Sequence, residues 1–90
     1  MVTKKKNKWS LYILECADGS LYTGITNDVE NRLDMHRSGN GSKYVRTRLP
    51  FKLVYLEKVG DRSQASKREY EIKSLTKQQK LELIRRSDQS

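Results

Sequence analysis

The sequence predicts a small α+β domain, and three observations carry that reading. Two short runs of apolar and aromatic residues, at 9–15 and 20–25, are joined by Ala17-Asp18-Gly19, the pattern of a β-hairpin. A third run, FKLVYLEKV at 51–59, is rich in β-branched and aromatic residues and follows Pro50. Between and after these strands, polar residues followed by Glu or Gln mark helix starts.

The hairpin admits two registers. A two-residue Asp18-Gly19 loop would face Ala17 to Ser20 and Tyr12 to Ile25; a three-residue loop with Gly19 left-handed pairs Cys16 with Ser20 and Tyr12 with Gly24. Neighbours across a ladder share a face, so a slip of one residue exchanges faces. Only the three-residue loop gathers Leu11, Ile13, Leu21 and Ile25 on one side and Tyr12, Tyr22 and Gly24 on the other, and it is the predicted register. The second side then carries two phenols on a diagonal, roughly 7–8 Å between backbones. Open space is expected above Gly24, where a ligand could approach.

The remaining elements follow in order. Asn27 is the expected N-cap of a first helix, with Glu30 as its reciprocal partner; it runs to about Arg37 and stops near Gly39. SGNGSKYVRTRLP, 38–50, reads as a loop, Gly/Ser-rich and then basic. The strand at 51–59 leads to a helix from Ser63 to about Leu75, and Thr76 with Gln79 forms a capping box for a last helix ending near Arg86. One domain over 8–86 is expected, preceded by a disordered basic tail at 1–7 and followed by a frayed end at 87–90.

Composition narrows the partner. Nineteen basic against eleven acidic residues leave a net charge of +8, which favours a polyanion and nucleic acid above all. No segment combines a basic face with a bulky apolar one, and no run approaches the ~20 apolar residues of a membrane helix, so no membrane association and a cytoplasmic location are expected. The single cysteine, Cys16, excludes an internal disulfide, and with His36 as the sole imidazole it leaves little for zinc.

Several side chains could carry chemistry. Arg32 and His36 stand four apart on the first helix and share a face, pairing a phosphate-binding fork with a group that accepts or relays protons near neutral pH. On the next helix Ala65, Arg68, Ile72 and Leu75 form an inward stripe with Glu69 at its margin. A carboxylate there needs a cation: a salt bridge to Arg32 or a nearby lysine, or a hard metal ion completed by water and phosphate. In the basic loop, Lys43, Arg46, Arg48 and Lys52 are placed to grip phosphates, with Tyr44 placed to stack on an exposed base.

Taken together, these residues resemble the GIY-YIG nuclease family, in particular its small stand-alone bacterial members. Ser10-Leu11-Tyr12 is similar to the first half of the signature and Tyr22-Thr23-Gly24 to the second, with nine residues between the tyrosines. Arg32 follows Tyr22 by ten positions, His36 falls one turn later, and Glu69 lies on the helix that carries the family's metal ligand. The resemblance spans 9 to about 75. It implies a three-stranded antiparallel sheet flanked by helices and a divalent-metal-dependent endonuclease acting on DNA, with RNA left open; DNA repair is the implied setting. Branched, nicked and single-stranded DNA are the implied forms. It also implies roles. Tyr12 would act as general base or orient the attacking water, Tyr22 would assist, Arg32 would neutralise the phosphate, His36 would support proton transfer and Glu69 would hold Mg²⁺ or Mn²⁺. Ser10, Leu11 and Thr23 depart from the signature, and 74–90 contains none of the asparagine that many members carry near the domain end. The alternative reading is a non-catalytic nucleic-acid-binding module built on the basic loop.

Overall fold

Alternation of side chains along the first hairpin settles the architecture. In the computed structural model, which describes residues 8–88, β1 (Trp9–Cys16) pairs antiparallel with β2 (Leu21–Thr26), Leu11 opposite Ile25 and Tyr12 opposite Gly24. The Cys16 N–H donates to the Ser20 carbonyl at 2.9 Å, and Gly19 takes φ +86°, closing the three-residue loop that the sequence predicts. Asp18 strengthens the turn by accepting from both the Ser20 amide and its hydroxyl.

A third strand, β3 (Phe51–Gly60), pairs antiparallel with β1 on its other side, giving the order β2-β1-β3. Register shifts between Trp9 and Ser10 and between Ile13 and Leu14 interrupt this ladder. The fold is therefore the three-stranded antiparallel sheet with helices expected above.

Each face of the sheet has its own core. Tyr12, Leu14 and Cys16 are buried with Leu33 of α1 (Val29–Arg37) and Val45 of α2 (Lys43–Arg46). Leu11 and Ile13 are buried with Ile72 of α3 (Arg62–Lys73), and Leu83 and Ile84 of α4 (Lys77–Asp88) pack at the margin. Burying four large side chains of β1 at 0–1% exposure makes that strand the centre of the molecule. The helix α3 is fixed to the sheet by Arg68, whose Nε and Nη2 donate to Glu57 on β3 at 2.8 and 3.0 Å. Tyr55 donates to the same carboxylate at 2.6 Å. Burial alone would raise the Glu57 pKa, but the Arg68 and Tyr55 hydrogen bonds overcome it and hold the carboxyl below its ordinary range.

Four boundaries differ from the sequence reading. Asp28, not Asn27, caps α1: its carboxylate accepts from the Asn31 amide, while Thr26 Oγ1 accepts from the Asp28 amide. Two cap-forming residues stand side by side, and the charged one suits the helix dipole better. Likewise α3 starts after Asp61, not at Ser63, with Asp61 and Gln64 forming a complete capping box. The segment 38–50 is not all loop, because burial of Val45 at 0% exposure folds 43–46 into a helical turn. Finally, α4 continues to Asp88, so 87–88 are helical; the tail at 1–7 and residues 89–90 lie outside the described residues.

Candidate active site

The face of the sheet that carries Tyr12 and Tyr22 is where the polar groups converge. Tyr12 points from the middle of β1 into the space under α1, and the helix returns two side chains to it. His36 Nε2 lies 3.0 Å from the Tyr12 hydroxyl oxygen, and Arg32 Nε donates to that oxygen at 3.5 Å. The one-turn spacing of Arg32 and His36 makes this possible, since both leave the same face of α1. Leu33, between them, anchors α1 in the core.

The phenols are neighbours. The Tyr12 and Tyr22 ring centroids are 6.4 Å apart, and Tyr22 also meets His36 edge-on at 5.6 Å. Phe51 at the start of β3 packs edge-on against the imidazole at 6.0 Å. His36 and Tyr12 are each 1% exposed.

The space above Gly24 is not open, contrary to the sequence reading. A Cβ there would fall 2.5 Å from the Tyr12 hydroxyl, so the glycine exists to let that phenol lie flat across β2. Gly24 shapes the site through Tyr12 and leaves no room of its own for a ligand.

Burial and charge set the protonation states. Burial pushes the Tyr12 phenol above its ordinary value near 10, with the Arg32 hydrogen bond working in the opposite direction. Burial, and then the positive charge of Arg32, push the His36 imidazole below its ordinary value. Arg32 is held charged chiefly by its hydrogen bond to Tyr12, and the Tyr22 phenol adds to this. At neutral pH the centre is a neutral phenol, a neutral imidazole and one guanidinium.

Glu69 belongs to α3, yet its negative charge is felt at Tyr12, where it adds to the upward pressure on the phenol. Its carboxylate pairs with Lys73 one turn on, at 3.2 Å, and not with Arg32. The Glu69 side chain is 25% exposed, a carboxylate with a flexible ammonium as its ion-pair partner. Among the described residues no group of three or more His, Cys, Asp or Glu could hold a metal ion by itself. A single hard oxygen donor of this kind suits a divalent cation whose other positions are taken by water and phosphate oxygens.

The basic loop is placed beside this centre, but its side chains are unequally available. Tyr44 stacks on Tyr22, centroids 5.8 Å apart, and the Arg48 guanidinium lies 3.9 Å over the Tyr44 ring. Tyr44 is thus already engaged and extends the aromatic row Tyr12-Tyr22-Tyr44; it is not the free stacking platform that the sequence suggests. Arg48 also donates to Asp18 at 3.1 Å and to the Tyr44 carbonyl at 3.0 Å. Lys52 lies 3.9 Å from Glu15. Lys43 and Arg46 are exposed and form no ion pair among the described residues.

Two residues with a part in this geometry escaped the sequence reading. Gly41 and Ser42 press backbone against the His36 ring: a Cβ on Gly41 would lie 2.4 Å from Nδ1, and the Ser42 amide donates to Nδ1 at 3.4 Å. The available signal was Ser42 itself, an N-cap residue three positions before the buried Val45.

Comparison with known proteins identifies the family of the chain. The family model described as the GIY-YIG catalytic domain matches residues 8–82. The chain belongs to the GIY-YIG family. That family is one of nucleases, generally divalent-metal dependent. A UPF0213 protein of Staphylococcus saprophyticus is 50% identical over 87% of this chain and 95% of its own. One from Staphylococcus aureus is 52% identical over 83% and 92%. Two solution NMR structures share the fold. The UPF0213 protein of Bacillus halodurans has a TM-score of 0.56 at 45% identity, covering 86% of this chain and 82% of that one. A protein of E. faecalis has a TM-score of 0.60 at 42% identity, covering 92% and 88%. No described helix of this GIY-YIG chain is long and apolar enough to cross a membrane.

Proposed function

We propose that the protein is an endonuclease that hydrolyses phosphodiester bonds of DNA, with branched, nicked or single-stranded forms as its substrates. The observation that carries this reading is the meeting of Arg32 Nε and His36 Nε2 at the single oxygen of Tyr12. A guanidinium beside an oriented hydroxyl is what an in-line displacement at phosphorus requires. One part neutralises the phosphate and the other holds the water.

The reaction is a hydrolysis. A water oxygen bonds to phosphorus as the bond to the leaving sugar oxygen breaks, and one proton of the water ends on the released hydroxyl. Tyr12, neutral at pH 7, aligns the water by hydrogen bonding, with Tyr22 beside it. Arg32 receives the phosphate. Tyr12 is 1% exposed with Arg32 Nε against its oxygen, so a phosphate received by Arg32 lies beside the phenol. Glu69 would hold Mg²⁺ or Mn²⁺ in place of its Lys73 contact. Such an ion supplies Lewis-acid stabilisation of charge on the phosphate and leaving oxygens.

The test is cleavage of end-labelled duplex, nicked, flap, junction and single-stranded DNA in Mg²⁺ or Mn²⁺, with chelator controls. Cutting of at least one form that stops on chelation is expected. Tight binding of every form with no cutting under any condition would overturn the proposal in favour of a binding module.

Binding itself is assigned to the exposed cations of the loop. Replacing Lys43 and Arg46 together by Ala is expected to weaken DNA affinity on all substrates. The slope of log affinity against log salt should fall by roughly one to two, one counterion for each lost phosphate contact. Replacing Arg48, already committed to Asp18 and Tyr44, should change that slope less. Fluorescence anisotropy over a salt series measures both, and an unchanged slope in the Lys43/Arg46 variant removes the loop from the interface.

A further inference from the structure

The imidazole of His36 meets a different kind of partner at each nitrogen. A backbone amide can only donate, so the ring atom that the Ser42 N–H addresses, Nδ1 at 3.4 Å, must present a lone pair. A neutral ring with its lone pair on Nδ1 carries its hydrogen on Nε2, and Nε2 is the atom 3.0 Å from Tyr12. The loop backbone comes this close because residue 41 is glycine; any Cβ there would sit 2.4 Å from Nδ1 and 3.0 Å from Cε1 and Cγ. The Ser42 amide is held in this direction by its place at the head of α2, where the Ser42 side chain accepts from the Tyr44 amide at 3.0 Å. Val45, fully buried, pins the same turn to the core.

We propose that Gly41 and Ser42 form a tautomer lock on His36: the Ser42 N–H keeps Nδ1 unprotonated, so that Nε2–H only ever donates to the Tyr12 oxygen. This inference rests on the nuclease reading for its consequence but not for its geometry. With His36 and Arg32 both donating, the Tyr12 oxygen has its two acceptor positions filled, and its own hydrogen is left for a third partner. That partner is the water or phosphate oxygen of the substrate. The ring is correspondingly barred from taking a proton from Tyr12, because an imidazolium would set an Nδ1–H against the Ser42 N–H. His36 is a fixed donor that aims the phenol, in place of the proton-transfer role that the family resemblance implies. Gly41 and Ser42 are positioning residues acting through it.

The sole histidine of the chain makes the test unambiguous, since every imidazole nitrogen signal belongs to His36. In the ¹⁵N-labelled wild-type protein at neutral pH, NMR should show Nε2 as the protonated, pyrrole-type nitrogen and Nδ1 as the unprotonated, pyridine-type one. A scalar coupling across the hydrogen bond should link Nδ1 to the Ser42 amide, which should exchange slowly with solvent. The reverse tautomer, an imidazolium, or a freely exchanging Ser42 amide in the wild type would overturn the proposal, whether or not any variant folds. In Gly41→Ala the coupling should vanish, the Nδ1–H form should become populated, and single-turnover cleavage should fall about tenfold or more with DNA affinity unchanged. Unaltered imidazole signals in a folded Gly41→Ala whose Ser42 amide is free would also overturn it. Should the wild type prove to bind DNA without cutting, the nitrogen spectra still decide the lock, so failure of the nuclease reading and failure of this inference are read separately.

Discussion

Tyr12→Phe is expected to bind DNA as the wild type does and to cut it about 10²–10³-fold more slowly, the range for losing one preorganised hydrogen-bonding group that orients the reacting atoms. The substitution removes the one atom on which Arg32 and His36 converge and changes little else. The ring still fills the space over Gly24 and still packs against Tyr22, so the sheet and both cores persist. A secondary effect follows from burial. His36 is 1% exposed, and without the Tyr12 oxygen its Nε2–H has no acceptor, a loss of about 1–3 kcal/mol in stability. Thermal melts should therefore accompany the rate measurements, with both proteins assayed well below their midpoints. Wild-type cleavage by a folded Tyr12→Phe would remove the phenol from the chemistry.

The second large effect is expected at Glu69. Glu69→Ala should reduce metal-dependent cleavage by about a thousandfold or more, the rate equivalent of the several kcal/mol that a divalent cation contributes at phosphorus. DNA binding should be nearly intact, because the carboxylate repels a polyanion and its Lys73 partner is half exposed. Removing the carboxylate frees Lys73 without burying an unpaired charge, so the fold should tolerate the change. Titrating Mn²⁺ into each protein with a DNA that cannot be cut should show tighter metal uptake by the wild type. Equal Mn²⁺ affinity in the two proteins would move the cation elsewhere.

How far the sequence alone reaches depends on whether a feature is set locally. The hairpin register was legible because one pairing groups Leu11, Ile13, Leu21 and Ile25 on a single face, and the same alternation put Tyr12 opposite Gly24. The spacing of Arg32 and His36 was legible for the same kind of reason, one helical turn. Helix starts were less so. Asn27 and Asp28 are both good caps, and the choice turns on the Thr26 hydroxyl that receives the Asp28 amide. Asp61 with Gln64 was a readable box, but Ser63 offered a competing start two residues later.

Contacts between distant segments stayed hidden. Tyr44 looks like a base-stacking residue in a basic loop; what directs it to Tyr22 is the fold, helped by an Arg48–Asp18 bridge across thirty positions. The occupied space over Gly24 was equally out of reach, since alternation fixes which face a phenol takes but not how its ring lies. No periodicity could reveal α2, four residues long and held by Val45. The approach of Ser42 to His36 depends on that turn.

The central claim is that the two phenols orient a water and never attack the phosphate themselves. It is tested most directly by cleaving DNA with the wild-type protein in water enriched in heavy oxygen and weighing the products. Incorporation of one heavy oxygen at each new phosphate end, with no DNA joined to protein, is the expected result. Phosphate ends without the label together with DNA covalently attached to Tyr12 or Tyr22 would contradict it.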